Sequence, residues 1–196
     1  MFSTKAHRGR PDLFVSAKCA APVPAADPAV REALVQASLD PLVRSISHVA
    51  QALVGTAQVD VDAVVLARDD GRYVLDVVAA PRVPDPNEER LVGIALSELG
   101  LARLVLTADD LNAEPRCSNS RLVWSHRGRS VPIDLRIRIL QILIEDGPLE
   151  LGDLLRAVRS DRDPSAAVMA LACGDLLELD LMSRPLGPTT MARWRT

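Results

Sequence analysis

Apolar positions recur along this chain with two different periods, and the changes of period mark its elements. After Asp27-Pro28, an N-cap residue followed by a proline at the first helical position, Val30, Leu34, Ala37 and Ser38 fall on one side of a helix ending near Asp40-Pro41. An extended stretch, Val43 to Leu53, leads to a turn at Gly55. Two alternating strands then flank the turn Asp69-Asp70-Gly71. With a period of two, Asp60, Asp62, Val64 and Leu66 share a face of the first strand, and Asp76 and Val78 share a face of the second. Pro81, Pro84 and Pro86 predict a loop. Asn87 then caps a helix carrying Leu91, Ile94, Ala95 and Leu99, and Gly100 stops it. The apolar run Ala102 to Thr107 reads as a short strand of a covered, partly parallel sheet.

The second half changes character. Residues 116–131 read as a short helix and a connector. A new unit opens near Pro132, where Asp134 caps a helix through Glu145 with Leu135, Ile139, Ile142 and Leu143 as its apolar stripe. Asp146-Gly147-Pro148 turns the chain, Leu149 to Val158 forms a second helix, and Asp163-Pro164 opens a third that runs to about Leu177. Glu178 to Ser183, the turn Arg184 to Pro188 and Thr190 to Trp194 form a β-ribbon. Three short helices and a ribbon describe a winged helix-turn-helix. The organisation expected is a flexible basic arm (1–27), an α/β domain (28–115), a connector (116–131) and a winged-helix domain (132–196).

Composition narrows the class. With 48% hydrophobic and 25% charged residues the chain can bury a core, and with 3% aromatics that core is built from Ala, Val, Leu and Ile. The net charge of −3 points to no partner, but the halves differ: residues 28–115 carry 7 basic and 14 acidic side chains, residues 116–196 carry 12 and 10. The second half is therefore the better face for an anion. Three widely spaced cysteines, Cys19, Cys117 and Cys173, form no CxxC, which favours a reducing cytoplasm and argues against structural zinc. The apolar stretch Leu13 to Ala17 is too short for a secretory signal, and no run reaches the roughly 18 residues of a membrane helix. A cytoplasmic protein without a membrane partner is expected.

The hairpin carries the candidate chemistry. Nucleases of the PD-(D/E)xK type place an Asp at the start of one strand and an acid-x-Lys on the next. This chain has Val61-Asp62-Ala63 and Leu75-Asp76-Val77, with Glu32 on the preceding helix before Leu39-Asp40-Pro41. With the tail Thr107 to Leu111 and Arg121-Leu-Val-Trp124, residues 28–196 resemble the TnsA-like transposition endonucleases. The resemblance implies a restriction-endonuclease-like mixed sheet flanked by helices, with a small winged-helix domain after it. It also implies that Glu32, Asp62 and Asp76 are the catalytic carboxylates and hold Mg²⁺ if the site is active, with no cofactor otherwise. Hard cations take oxygen ligands, and the metal activates water at the scissile phosphate. Three departures stand out: Val61 replaces a proline, Asp76 a Glu or Gln, and Val78 the lysine. The only lysines are Lys5 and Lys18, and Arg72 and Arg90 are poor proton acceptors in its place. Losing one such preorganised group typically costs about 10²–10³ in rate.

DNA is the expected partner. Arg8 and Arg10 lie in His7-Arg-Gly-Arg-Pro11, a minor-groove AT-hook core; Arg127 and Arg129 follow Trp124 and His126; Arg156, Arg159, Arg162 and Arg184 surround the winged helix. The helix in the recognition position, from Pro164 to Asp175, offers no Arg, Lys, Asn or Gln to read bases, so that domain suits a protein partner at least as well. Three readings follow: a DNA-associated adaptor on an impaired nuclease frame, a Mg²⁺-dependent endonuclease of a mobile element or defence system, or a winged-helix transcriptional regulator.

Overall fold

A computed structural model of the chain describes residues 12–54, 57–78, 90, 93–94, 96–158 and 163–195, with the side chains of residues 52–54, 57 and 59 outside that description. A short hairpin, β1 (Leu13–Phe14) with β2 (Val23–Pro24), precedes helix α1 (Pro28–Leu39). Asp27 caps α1 through its carboxylate, which accepts from the backbone N–H of Ala29 at 2.7 Å and of Val30 at 3.4 Å, and Pro28 takes the first turn as expected. The long strands β3 (Val43–Val54) and β4 (Ala57–Arg68) and the shorter β5 (Gly71–Val78) form an antiparallel meander. After a segment helical at residues 90, 93–94 and 96–98, β6 (Ala102–Thr107) joins β5 in parallel, giving the order β3-β4-β5-β6. The α/β class is the one expected.

Each face of this mixed sheet has its own apolar layer. On one, Leu34 and its neighbours on α1 pack with Ile46, Leu66 and Leu75; on the other, Val65 and Val74 meet Leu96 and Leu101. A fully buried Leu34 or Ile46 contributes about 1.5–3 kcal/mol. Two expectations are corrected. Residues 12–27 are not a free arm, because Phe14, Val23 and Ala25 lie in the α1 layer and Lys18 is buried beneath it. The strand β6 is not covered on both sides, since Val105 is half exposed.

Helices α2 (Ala108–Asn112) and α3 (Arg116–Trp124) lead into the C-terminal unit. Thr107 and Asp110 close a reciprocal capping box on α2, and the Thr107 hydroxyl and backbone N–H hold the Asp110 carboxyl below its ordinary pKa. The C-terminal unit comprises α4 (Ile133–Glu145), β7 (Leu149–Glu150), α5 (Leu151–Ala157), α6 (Pro164–Cys173), β8 (Leu177–Leu179) and β9 (Met191–Trp194), with antiparallel sheet order β7-β9-β8. Several boundaries move. Helix α4 starts one residue before Asp134, which sits in its first turn and does not cap it. Leu149 pairs with Ala192 and opens no helix, because β9 offers it a ladder. Helix α6 ends at Cys173, where Asp175 turns left-handed with φ 56°.

The two halves share a core. Val123, Leu39 and Trp124 pack with the C-terminal cluster, and Trp124 also stacks on Phe14 with ring centroids 5.4 Å apart. Residues 116–131 are thus a brace rather than a spacer.

Candidate functional site

The three acids that sequence reasoning assigned to one metal site do not gather, and the sheet stands between Asp76 and the helix that carries Glu32. On β5, Leu75 and Val77 pack toward α1, whereas Val74 packs into the layer on the other face. Alternation places Asp76 and Val78 on Val74's side, away from the helix that carries Glu32. Asp76 faces Arg103 of β6, with Oδ2 4.0 Å from Nη1. Asp62 sits where the β3–β4 ladder slips between Val49 and Gln51, with φ 41°. This bulge overturns the shared face expected for Asp60 and Asp62: Asp62 Oδ1 turns to His48 Nε2 at 2.8 Å, while Asp60 Oδ1 accepts from Gln51 at 2.7 Å.

Glu32, on α1, has partners of its own. Its Oε2 accepts from Arg121 Nε at 3.0 Å and its Oε1 from Gln36 Nε2 at 3.3 Å. The hydrogen bond to Glu32 raises the Arg121 pKa, so this guanidinium, though exposed, is paired with Glu32. Each acid therefore has its own cationic or imidazole partner. Among the described residues no group of three or more His, Cys, Asp or Glu is arranged to hold a metal ion. Glu32, Asp62 and Asp76 do not meet as a Mg²⁺ site, and neither Arg72 nor Arg90, both exposed, stands in for the lysine.

The expected phosphate-binding arginines fare unevenly. Arg8, Arg10, Arg159 and Arg162 lie outside the described residues. Arg127 stacks over Trp124 with its guanidinium 5.5 Å from the ring centroid, and Arg156 pairs with Asp153 one turn back. Arg129 and Arg184 are exposed. His126, next to Arg127 in sequence, keeps a buried Nδ1 without a hydrogen-bond partner.

Helix α6, the helix expected to read bases, is nearly all buried: Ala166, Ala167, Val168 and Ala170 to Cys173. It packs against α3 and α4, with the Cys173 thiol donating to the Val123 carbonyl at 3.2 Å. Burial pushes the Cys173 pKa up to about 11. Burial likewise raises that of Cys117, ahead of the opposing effect of Arg121. Thiol titration of the folded chain at pH 8 is therefore expected to label Cys19 promptly and to leave Cys117 and Cys173 until denaturant is added. Prompt reaction of Cys173 would show that α6 is not packed away.

Sequence reasoning missed the groups that join the halves. Arg195 donates to the Pro41 carbonyl at 2.6 Å, the Val43 carbonyl at 3.0 Å and Glu178 Oε1 at 2.6 Å, beside Asp175 at 3.3 Å. Lys18 donates to the Asp40 carbonyl at 2.6 Å and faces Asp175 at 3.5 Å. Burial lowers the Lys18 pKa, and Asp175 works against that. The lone lysine in an otherwise arginine-based body was the available signal. Buried Asn119 donates to the Leu181 and Arg184 carbonyls at 3.0 and 2.8 Å and accepts from Leu186 N–H at 2.8 Å, fixing the β8–β9 loop to α3. Beside this seam lies a cleft of about 370 Å³ lined by Leu39, Pro41, Arg116, Leu181, Met182 and Met191. Arg116 there faces Asp40 at 3.7 Å.

No model of a known protein family matches this chain, and no curated protein matches it either.

Proposed function

We propose that this chain is a non-catalytic, DNA-associated adaptor built on an endonuclease-type frame. The order α1-β3-β4-β5-helix-β6, with three antiparallel strands and a fourth parallel to the third, supports a restriction-endonuclease-like core. The order helix-strand-helix-helix-strand-strand with sheet order β7-β9-β8 supports a winged helix for the tail. One observation carries the loss of chemistry: Asp76 and Val78 lie across the sheet from Glu32. A metal-assisted cut needs its carboxylates around one ion, and a strand displaced by one residue turns its whole set of side chains to the other face.

The burial of α6 narrows how DNA is engaged. A recognition helix reads base edges only if it enters the major groove, and this one is packed against its own chain. Contact then falls to exposed arginines such as Arg129 and Arg184, which meet phosphates and carry no sequence information. This favours the adaptor over the transcriptional regulator, and the separated acids favour it over the endonuclease.

Plasmid nicking with Mg²⁺ or Mn²⁺ tests the chemistry. The expected result is no metal-dependent nicking above background, by the native chain or by Asp62→Ala. Cutting that Asp62→Ala abolishes would establish the endonuclease instead. Gel-shift titration at two salt concentrations tests the association: affinity should fall steeply with salt and not depend on sequence, with Arg129→Ala/Arg184→Ala weakening it on every duplex alike. Strong preference for one duplex would establish the regulator.

A further inference from the structure

Helix α4 is apolar on two opposite sides. Eight of its thirteen residues are Ile or Leu. Leu135, Ile139 and Leu143 are buried in the C-terminal core. In the second stripe, Ile133, Ile137, Leu140 and Ile144, the three isoleucines face outward, 66%, 55% and 57% exposed, and Leu140 is half-buried at the margin of the C-terminal core. A surface helix ordinarily turns one apolar stripe inward and a polar face to water. An outer stripe of this kind marks a contact surface.

The spacing of the stripe says what covers it. Its steps are four, three and four residues, the alternation of a coiled-coil seam, with Ile137 and Ile144 in one kind of seam position and Ile133 and Leu140 in the other. The steps also read the same in both directions. A second α4 laid antiparallel across the first, about a twofold axis between Arg138 and Ile139, sets Ile133 against Ile144 of the other copy and Ile137 against Leu140. The seam edges agree with that pairing. Asp134, an acceptor, lies along the same seam edge as Gln141 of the other copy, two residues off level; that glutamine is a donor whose amide otherwise reaches Glu145 at 2.7 Å in its own helix.

The end of the helix supplies the socket. Ile144 borders a groove of about 510 Å³ that Leu42, Pro148 and Trp194 also line. Leu42 and Trp194 are 47% and 43% exposed, and the charges of that groove are paired internally, Arg44 with Asp69 and Arg193 with Glu178. Neutral and apolar, the groove suits Ile133, the most exposed large apolar side chain among the described residues. We propose that two copies of this chain associate through α4, antiparallel, with Ile133 of each seated beside Ile144 of the other.

Sedimentation equilibrium of the full chain over a concentration series tests this. The expected result is a reversible rise from 21.1 kDa to twice that mass, and Ile137→Glu weakening association at least about 100-fold, since a twofold interface carries the change twice. Ile137 is outside the core, so circular dichroism should show the variant folded, and Ile137→Val, which keeps the apolar contact, should restore the dimer. Orientation is read by mixing Ile133→Cys protein with Ile144→Cys protein: the mixture forms a mixed disulfide rapidly, and neither alone does. A chain monomeric at every concentration overturns the proposal and leaves the stripe to a foreign helix. So does a dimer indifferent to Ile137→Glu, and cross-linking of Ile133→Cys with itself overturns the antiparallel arrangement.

Discussion

Replacing Arg195 by alanine is expected to lower the unfolding free energy by about 3–5 kcal/mol, the range for deleting one partner of a buried ionic cluster. The guanidinium is 9% exposed and serves four groups at once: two carbonyls that leave α1 for the sheet, Glu178, and Asp175. Its loss leaves Glu178, itself 11% exposed, to Arg193 alone and unties the C-terminal unit from the turn at Pro41. Lys18 partly compensates. It shares Asp175 with Arg195, and Arg195 helps to lower its pKa, so removing the arginine lets the lysine hold its proton and take more of that carboxylate. The double variant Arg195→Ala/Lys18→Met should therefore be non-additive, with coupling on the order of 1 kcal/mol by urea unfolding. Additive losses, or an Arg195→Ala midpoint close to the native one, would mean that the halves are joined by apolar contact alone.

Asn119→Ala carries the second large effect. Asn119 is 3% exposed and satisfies the Leu181 and Arg184 carbonyls and the Leu186 N–H. Alanine leaves three backbone groups without a partner in a closed seam, at about 1–3 kcal/mol for each that water does not reach. A net loss of about 2–4 kcal/mol is expected after relaxation. The signature is local: backbone amides of residues 182–188 should exchange much faster, while those of β4 and β5 stay protected. Uniform acceleration across both halves would show that Asn119 holds the whole chain rather than this loop.

The separation of Glu32 from Asp76 is what gives the adaptor reading its content. Each acid sits beside a cation or imidazole of its own, so restoring a lysine at Val78 is not expected to create a nuclease: the new ammonium would join Asp76 and Arg103 on one face while Glu32 stays with Arg121 on the other. On the proposed reading, the arrangement of the carboxylates matters as much as the missing lysine.

Much of the framework was legible from residue pattern. Asp27-Pro28 and Asp163-Pro164 open helices where expected, because a cap and a proline act through their nearest backbone neighbours. The hairpin about Asp69-Asp70 and the parallel placement of β6 followed from alternation and from the helix between strands.

The site was not legible, for a physical reason. Local pattern fixes which residues alternate, and by itself this chain determined most of its longer helices and strands, the apolar identity of α6 and the absence of a lysine beside Asp76. Tertiary packing decided the rest. The slip that turns Asp62 to His48, the choice of which face of β5 meets α1, the partner that claims Glu32 and the burial of α6 all depend on side chains far away in sequence. Those contacts cost loop entropy to form and stand only because whole layers close together, so no window of residues announces them.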